Sequence, residues 1–332
     1  MLKPAEALPI TRAAVPAPLI AVQSIAEMPA QRAAAPASAA QARALYYNTG
    51  NAFNIKLPPV PDDSFTSEPA RALHADTNTG LIDCDRSREL GTAFPATTPL
   101  VLARYARIRA GETLRTQFEA SGVMFYVIQG GGRSECNDDP NEAVAWQAGD
   151  VFVLPGGVAQ AHHADDKDAV LWVVTNEPQL AFEHLRAPAA GSAPTDAVHF
   201  TAADIERQID QLYAVGRSND IAGSALILSS TKQEAIRNVL PTMTVAMNTL
   251  PAGQTQRPHR HNSIAVSLVI QGEGCHSMVD GRRKDWAPWA TTVTPPTALH
   301  SHHNEGRMRA KFLIVQDGGL YYYTRALGFS FE

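Results

Sequence analysis

The chain has 332 residues, of which 45% are hydrophobic and 18% are charged, an ordinary balance for a globular protein. Its net charge of −5 provides no basic surface for nucleic acid or an anionic membrane, and no apolar run approaches the roughly 18 residues that cross a bilayer. The three cysteines are an odd number without metal-knuckle spacing, which argues against a disulfide framework. We therefore expect a cytoplasmic protein that binds neither nucleic acid nor a membrane.

The N-terminal segment differs in composition from the rest of the chain. It is rich in Ala and Pro, as in PAQRAAAPASAAQARA, and its arginines resemble those of a transit peptide. It also contains Glu6 and Glu27, and no apolar stretch precedes a cleavage site. We expect residues 1–95 to form an arm and a lead-in segment rather than a signal peptide.

An internal repeat organises the remainder. With Gly111 aligned on Gly253, GETLRTQFEASGVMFYVIQGGG lies over GQTQRPHRHNSIAVSLVIQGEG without a gap. Further along, WQAGDVFVLP pairs with WAPWATTVTP. Each half is a series of short β-rich runs separated by Gly, Pro, Asn and Asp, which is typical of an antiparallel sandwich or barrel. The repeat predicts one barrel in residues 96–180 and another in residues 236–332.

A short helix is expected between the two halves. Thr201 can cap the segment TAADIERQIDQLYAV, and Ile205, Ile209 and Leu212 recur in it at helical spacing. Residues 181–235 are therefore predicted to be a linker that contains this helix.

The segment RPHRHNSIAVSLVIQGEG places two imidazoles on one face of a strand, because His259 and His261 are two residues apart. Such a buried pair costs desolvation energy unless the rings are paired or bind something. His300, in a strand that a hairpin brings alongside, supplies a third imidazole. Three histidines suit iron, zinc, copper or nickel by ligand type, so we predict a metal site at His259, His261 and His300.

These residues carry a family resemblance. Gly253, His259, His261 and Gly272, followed by Pro295 and His300, resemble the two motifs of the cupin family, and two copies would make a bicupin. GQTQRPHRHNSIAVSLVIQGEG, VDGRRKDW and PPTALHSHHN are similar to the gentisate 1,2-dioxygenase branch, which includes salicylate and 1-hydroxy-2-naphthoate dioxygenases. The resemblance covers residues 95–329.

The resemblance implies an all-β bicupin, with one double-stranded β-helix (jelly-roll) barrel in each half. It also implies one Fe(II) per chain, a homo-oligomer (dimer or tetramer), and oxidative cleavage of a small hydroxylated aromatic acid by O2. Common cupins add a glutamate shortly after the second histidine, but Ala265 and Val266 stand there. Its loss argues against the four-ligand manganese decarboxylases of this superfamily and leaves coordination positions open for a chelating acid and dioxygen.

The first half serves as an internal comparison. In the gapless alignment, Gln117, Glu119 and Gln160 stand in place of His259, His261 and His300. Because amides are poor ligands for iron, we expect the first barrel to be a scaffold without metal.

Substrate binding is predicted less directly. His302 lies on the strand face of His300 and is the candidate catalytic residue, able to hydrogen-bond substrate or dioxygen. Relatives grip the substrate carboxylate with an arginine where this chain has Ser267, which predicts weak turnover of gentisate itself. The other candidate substrate-binding residues are Asn248, which replaces a family glutamine, Arg104, Arg107 and Arg257 as carboxylate partners, and Trp286 as a wall for a ring.

Three functions follow from these residues. The first is an Fe(II) dioxygenase that cleaves the ring of a hydroxylated or amino-substituted aromatic acid. The second is another three-histidine cupin oxygenase, acting on a thiol or a β-diketone. The third is a non-catalytic cupin that senses a small ligand or a metal.

Overall fold

The computed structural model describes residues 24–137, 139–215 and 224–332, without the side chains of 139–142. The chain divides into two compact units, Met1–Leu57 and Pro58–Glu332. The described part of the first unit contains a 3₁₀ helix (Ile25–Glu27), β1 (Gln31–Arg32), α1 (Ala39–Ala42) and β2 (Leu45–Tyr46), and β1 pairs with β2 in antiparallel orientation. Residues 1–23 of the predicted arm lie outside the described residues.

The second unit begins with a lead-in and a first barrel. Its elements are β3 (Ser64–Phe65), α2 (Ser67–Leu73), β4 (Gly80–Asp83), α3 (Ser87–Leu90), β5 (Leu102–Ile108), β6 (Thr113–Thr116), β7 (Gly122–Gln129), β8 (Gly131–Cys136), β9 (Asp139–Gln147), β10 (Val151–Pro155), β11 (Gln160–Ala164), β12 (Ala169–Thr175), α4 (Glu177–Phe182) and β13 (Val198–Phe200). The barrel consists of a six-stranded sheet, in the order β13-β10-β7-β12-β5-β4, and a four-stranded sheet, in the order β6-β11-β8-β9.

The second barrel repeats this plan. It follows α5 (Ala202–Val215) and comprises β14 (Ser224–Leu228), a 3₁₀ helix (Thr231–Gln233), β15 (Thr244–Leu250), β16 (His259–His261), β17 (Ala265–Gln271), β18 (Cys275–Val279), β19 (Arg282–Asp285), β20 (Thr291–Thr294), β21 (His300–Asn304), β22 (Ala310–Gln316), α6 (Gly318–Thr324) and β23 (Phe329–Phe331). Its sheets have the orders β14-β15-β22-β17-β20-β3 and β19-β18-β21-β16-β23. The predicted all-β bicupin of two jelly-roll barrels is confirmed.

The predicted helix is present as α5. The Thr201 hydroxyl accepts the Asp204 backbone N–H at 3.1 Å, as expected of an N-cap. Ile205 and Ile209 are buried against the core, whereas Leu212 is exposed. No described helix is both long and apolar enough to cross a membrane.

Strands outside the predicted barrel ranges join the sheets. β4, from the lead-in, pairs with β5, and β13, from the linker, pairs with β10. β3 joins the second barrel through β20, and β14 pairs with β15. Segments that read as connectors in the sequence therefore complete both six-stranded sheets.

The two six-stranded sheets pack against each other and form the main hydrophobic core. This explains the near-continuous apolar runs of their strands, since a strand such as β12 (AVLWVVT) is buried on both faces. Thr291 of the second barrel fixes the contact, because its hydroxyl lies 2.8 Å from the Tyr105 hydroxyl and accepts the Trp172 indole N–H at 2.9 Å. The opposite face of each six-stranded sheet lines the interior of its own barrel.

Candidate metal centre

Two neighbouring strands of the second barrel carry the predicted ligands. His259 and His261 lie at the two ends of β16, and His300 begins β21, where it pairs directly with His259. All three side chains are buried, and one nitrogen of each lies within 4.8 Å of the others. In the part of the chain that the structure describes, this is the one group of three or more His, Cys, Asp or Glu residues that could hold a metal ion.

The backbone fixes the tautomer of each imidazole. The Nδ1 atom of each ring donates to a main-chain carbonyl two residues away: His259 to Arg257 at 2.9 Å, His261 to Ser263 at 2.8 Å, and His300 to Ala298 at 2.9 Å. A carbonyl only accepts, so Nδ1 carries the proton and Nε2 keeps its lone pair. The three Nε2 atoms, each with its lone pair, are therefore the atoms that can bind one shared metal.

Burial keeps these rings neutral. Desolvation lowers the pKa of His259 and of His261, and desolvation together with the neighbouring His259 lowers the pKa of His300 to about 3. Only a neutral imidazole ligates a metal, so protons compete little for this site at neutral pH. The donor set fits a metal that accepts nitrogen ligands.

A cavity of about 250 Å³ opens on the three histidines. Its walls combine apolar side chains with amides and hydroxyls, and among the described residues that line it none is Lys, Arg, Asp or Glu. Residues of seven strands, of the loops on either side of β16 and of the C-terminal segment form it: Ala225, Ile227, Thr244, Ala246, Asn248, Gln256, His259, His261, Ser263, Ala265, Ser267, Thr294, His300, His302, Ile314, Gln316, Tyr322, Leu327 and Phe329.

The C-terminal strand closes one side of this cavity. β23 pairs with β16 over its three residues, and the Phe329 ring stacks on His259 with 5.2 Å between ring centroids. Tyr322 of α6 and Leu327 line the same cavity. This side adds apolar contact surface to the cavity next to the histidine cluster.

The predicted residues Asn248, Ser267 and His302 all line the cavity. The Ser277 hydroxyl accepts the Trp286 indole N–H at 2.8 Å, and the same oxygen lies 2.8 Å from His302 Nδ1. An indole can only donate, and no other acceptor for the Ser277 hydroxyl proton is found among the described residues, so the arrangement that satisfies both groups has Ser277 donating to His302 Nδ1. This places the imidazole proton of neutral His302 on Nε2, and burial lowers its pKa well below the ordinary value.

The first barrel contains the same Trp–Ser–His chain of hydrogen bonds, but there both ring nitrogens of the histidine have protein partners. Trp146 donates to Ser134 at 2.8 Å, and Ser134 lies 2.7 Å from Nδ1 of His162. There Nε2 of His162 has a partner within the barrel, the Thr116 hydroxyl at 3.1 Å. For His302 no such protein partner of Nε2 is found among the described residues, so its N–H donor is available to a molecule in the cavity.

Strand pairing corrects the sequence alignment of the two halves. Gln160 pairs with Thr116, as His300 pairs with His259, so the inward position opposite Gln160 is Thr116 and not Gln117. Gln117 and Glu119 are exposed, and Glu119 accepts the backbone N–H of Ala187. The gapless alignment missed this shift because the segment that leads into β16 is one residue longer than the corresponding segment of the first barrel, which contains β6.

The structure does not bring the predicted arginines into the cavity. Arg104 and Arg107 belong to β5 of the first barrel and are neutralised there, Arg104 by Asp83 and Glu177, and Arg107 by Asp168. One face of β5 is turned toward the sheet of the other barrel, and its other face is turned toward the interior of the first barrel. Neither face borders the histidine cluster. These two assignments to the substrate site are therefore corrected.

Arg257 and Trp286 also lie outside the cavity wall. Arg257 is exposed, with its guanidinium 4.4 Å from the centroid of the Phe331 ring. Trp286 stands behind His302, with 5.7 Å between their ring centroids, and therefore orients that histidine instead of forming a wall for a ring.

Several cavity residues were not identified from the sequence. Gln316 Nε2 lies 3.2 Å from His261 Nε2, within donating distance of the lone pair that a metal would use, and Gln256 contributes a buried amide. Arg237 lines a second cavity of about 540 Å³ that shares five lining residues with the first: Ile227, Thr244, Ala246, Gln316 and Tyr322. Inward position on a strand could have indicated Gln316, but no sequence signal places Arg237 near the histidines.

This chain has the fold of a bicupin, with a three-histidine group in its second barrel. The family model for the cupin domain matches residues 246–316, and that for cupin matches residues 110–203. One cupin model thus matches within each barrel, and the three histidines lie within the match to residues 246–316.

Comparisons with known proteins point to aromatic-acid dioxygenases. The chain is 32% identical over 82 residues to a gentisate 1,2-dioxygenase from Ralstonia sp, covering 25% of this chain and 23% of the relative. It is 32% identical over 84 residues to a 5-aminosalicylate 1,2-dioxygenase from Comamonas sp, covering 25% of this chain and 22% of the relative. These alignments span about a quarter of the length of the curated relatives.

The structural comparison covers most of the chain. A crystal structure of a salicylate 1,2-dioxygenase from Pseudaminobacter salicylatoxidans has a TM-score of 0.69 and 12% identity, covering 83% of this chain and 89% of that one. A structure of salicylate 1,2-dioxygenase adducts with gentisate has a TM-score of 0.68 and 12% identity, covering 84% and 87%. At this identity the likeness establishes the shared bicupin fold.

Proposed function

We propose that the protein is an iron-dependent dioxygenase that opens the ring of a hydroxylated or amino-substituted aromatic carboxylic acid. The observation that carries this proposal is the convergence of three neutral imidazoles, without a carboxylate, at the floor of a ring-sized cavity. His259, His261 and His300 would hold one Fe(II) per chain, which would pass electron density from a chelated, electron-rich ring to dioxygen. The gentisate and 5-aminosalicylate dioxygenases among the relatives support the choice of substrate class.

The size and walls of the cavity suit one substituted ring. An apolar cavity of roughly 150 Å³ admits benzene, so the 250 Å³ observed here leaves room for substituents. Ile227, Ile314 and Phe329 offer apolar contact to such a ring. In this arrangement His302 Nε2–H donates a hydrogen bond to an oxygen of the bound ligand and holds the ligand against the histidine cluster.

Arg237 is our candidate partner for the substrate carboxylate. It is the single charged residue that lines the adjoining cavity, and no ion pair of Arg237 is present among the described residues. A guanidinium binds a carboxylate in a bidentate fashion. An acid that extends from the histidines past Gln316 and Tyr322 would bring its carboxylate toward this arginine.

A second candidate is a three-histidine oxygenase that acts on an uncharged chelating substrate such as a β-diketone. The neutrality of the inner cavity favours it, because no described lining residue offers a countercharge to an acid bound wholly within. Such a substrate would need neither Arg237 nor any other cationic side chain.

Oxygen consumption distinguishes these activities. The protein is loaded with Fe(II) without oxygen, then mixed with aerated buffer and a panel of hydroxybenzoates, aminobenzoates, hydroxynaphthoates and β-diketones. We expect uptake with at least one aromatic acid and a ring-opened product that absorbs strongly in the near ultraviolet. Uptake with a β-diketone alone selects the second candidate. No uptake with any compound, despite bound iron, refutes both.

A further inference from the structure

Gln256 carries an unused hydrogen-bond acceptor in the wall of the cavity. The residue is only 8% exposed, and its Oε1 atom is buried without a hydrogen-bond partner. It lines the cavity together with the three histidines and His302. Its backbone N–H donates to the His302 carbonyl at 2.8 Å, which fixes the position of the residue beside that ring.

The other two amides of the cavity wall differ from it. Among the described residues, neither the Asn248 nor the Gln316 side-chain oxygen is both buried and without a hydrogen-bond partner. An amide oxygen that is buried without a donor destabilises a folded protein, because it loses its hydrogen bonds to water and gains none. Retention of such a group in a ligand cavity points to a donor that arrives with the ligand.

The sister barrel shows which side chain the position accepts when no ligand is bound. Leu114 pairs with His162 in the first barrel, at the step where Gln256 meets His302 in the second. Leu114 packs against the apolar interior of its barrel. The fold therefore tolerates an aliphatic side chain of similar size at this step, and the amide of Gln256 is not required to build the strand.

We propose that Gln256 determines specificity by accepting a hydrogen bond from a hydroxyl or amino group of the bound ligand. The proposal rests on the proposed function only in that an aromatic ligand occupies this cavity. It assigns the ligand a donor substituent on the Gln256 side, in addition to the atoms that face the histidines. A methyl ether at that substituent would lack the donor, so Gln256 would discriminate against it.

The test uses the iron-loaded protein without oxygen and measures ligand dissociation constants by calorimetry. The ligands are dihydroxybenzoates and aminosalicylates, each compared with its methoxy or N,N-dimethyl counterpart. For the pair that binds most tightly, we expect the wild-type protein to prefer the donor-bearing ligand about tenfold. Gln256→Leu, which copies Leu114, should reduce this preference to within about twofold by weakening the donor-bearing ligand alone.

Thermal unfolding without ligand gives a second readout. Gln256→Leu should raise the melting temperature, because it removes the unpaired acceptor, and should leave the iron content unchanged. The matched control Leu114→Gln should lower the melting temperature without altering either dissociation constant. If Gln256 only supported the fold, Gln256→Leu would lower the melting temperature and leave the ligand preference unchanged.

The outcomes separate this proposal from the activity. An unchanged preference in Gln256→Leu, including the case in which an ordered water satisfies the amide, overturns the assignment, as does failure of every ligand to bind. Discrimination that disappears in the variant, in a protein that consumes no oxygen with these ligands, supports the assignment and refutes the dioxygenase.

Discussion

Phe125 and Ser267 occupy the same position in the two barrels. Phe125 lies opposite Phe152 in the ladder of β7 and β10, and the two rings stack with 4.6 Å between centroids. Ser267 lies opposite Thr292 in the corresponding ladder of β17 and β20. Two aromatic rings fill the first barrel, and two small polar side chains leave the second open. The exchange leaves less side-chain volume at this level of the second barrel, where Ser267 lines the cavity.

The first prediction is that Ser267→Phe closes the cavity. A phenylalanine would occupy the space between Ile314 and Thr292, the neighbours of Ser267 on the flanking strands. We expect ligand affinity and kcat/KM to fall by at least about a hundredfold, because the ring competes with the substrate for one volume. Iron content should stay at the wild-type level, since the ligands are untouched. Calorimetry and elemental analysis measure the two effects.

The reverse change in the first barrel is the matched control. Phe125→Ser removes a stacked ring from a packed interior, and the loss of stability should be about 3–5 kcal/mol. It should create no aromatic-acid site, because the first barrel lacks the three imidazoles. If Ser267→Phe binds the substrate as well as the wild type does, the substrate lies elsewhere.

The second prediction concerns the number of metal ions per chain. His300→Ala should lose both iron and activity while the protein stays folded, because apolar sheet packing holds the barrel. Gln160→Ala, at the matching position of the first barrel, should retain the metal. Elemental analysis of the two variants beside the wild type measures this. Two metals per wild-type chain, or full occupancy in His300→Ala, would place the site elsewhere.

The ligands were predictable from the sequence for a simple physical reason. Residues two apart share a face in any strand, so His259 and His261 had to point together once β16 was recognised. The match to the first half was less secure, because a shift of one residue turns every side chain to the other face. That shift exposes Gln117 and turns Thr116 inward, which only the strand pairing reveals.

The rest of the cavity could not be read from the sequence. Its walls come from β14, β15, β17, β22 and the C-terminal segment, which are distant in the chain and meet only in the folded barrel. The arginines of β5 were candidate carboxylate partners by residue type, but Asp83 and Asp168, which lie well away from them in the sequence, pair with them in the folded barrel. Arg237 follows a 3₁₀ turn without any motif, so only the tertiary structure places it beside the cavity.

The third prediction concerns the proton on His302. His302→Gln should retain iron and fold but lower kcat by roughly 100-fold, because the oriented N–H donor beside the ligand is lost. Ser277→Ala should have a smaller effect of the same kind, since it removes only the group that fixes the tautomer. Steady-state kinetics with metal analysis provide the measurement. An unchanged kcat in His302→Gln would show that the imidazole only packs.

The fourth prediction is that Arg237→Gln raises KM for an aromatic acid by roughly 10-fold or more, the loss expected for a charge-assisted hydrogen bond. The affinity for the corresponding neutral amide should change little, because it carries no charge for the arginine to bind. Arg257→Gln serves as the control, since that guanidinium lies over Phe331 and outside the cavity. Equal losses for the acid and the amide would exclude Arg237 as the carboxylate partner.

The fifth prediction concerns acid sensitivity of the first barrel. Burial lowers the pKa of His162 from 6.5 to about 3, and the ring accepts from Ser134 and donates to Thr116. Between these pH values the unfolded chain binds a proton that the folded chain does not. The contribution of His162 to the free energy of unfolding is therefore fully present above pH 6.5. It declines as the pH falls toward 3, by at most about 1.4 kcal/mol per pH unit.

Urea unfolding of the chelator-treated protein between about pH 5 and 7.5 tests this linkage. His162→Gln cannot titrate, so its free energy of unfolding should fall less steeply with decreasing pH than that of the wild type. Thr116→Val is the control: it removes a hydrogen bond and lowers stability at every pH, but it leaves the imidazole and hence the slope. Equal slopes for wild type and His162→Gln would mean that His162 takes up its proton in the folded barrel as readily as in the unfolded chain.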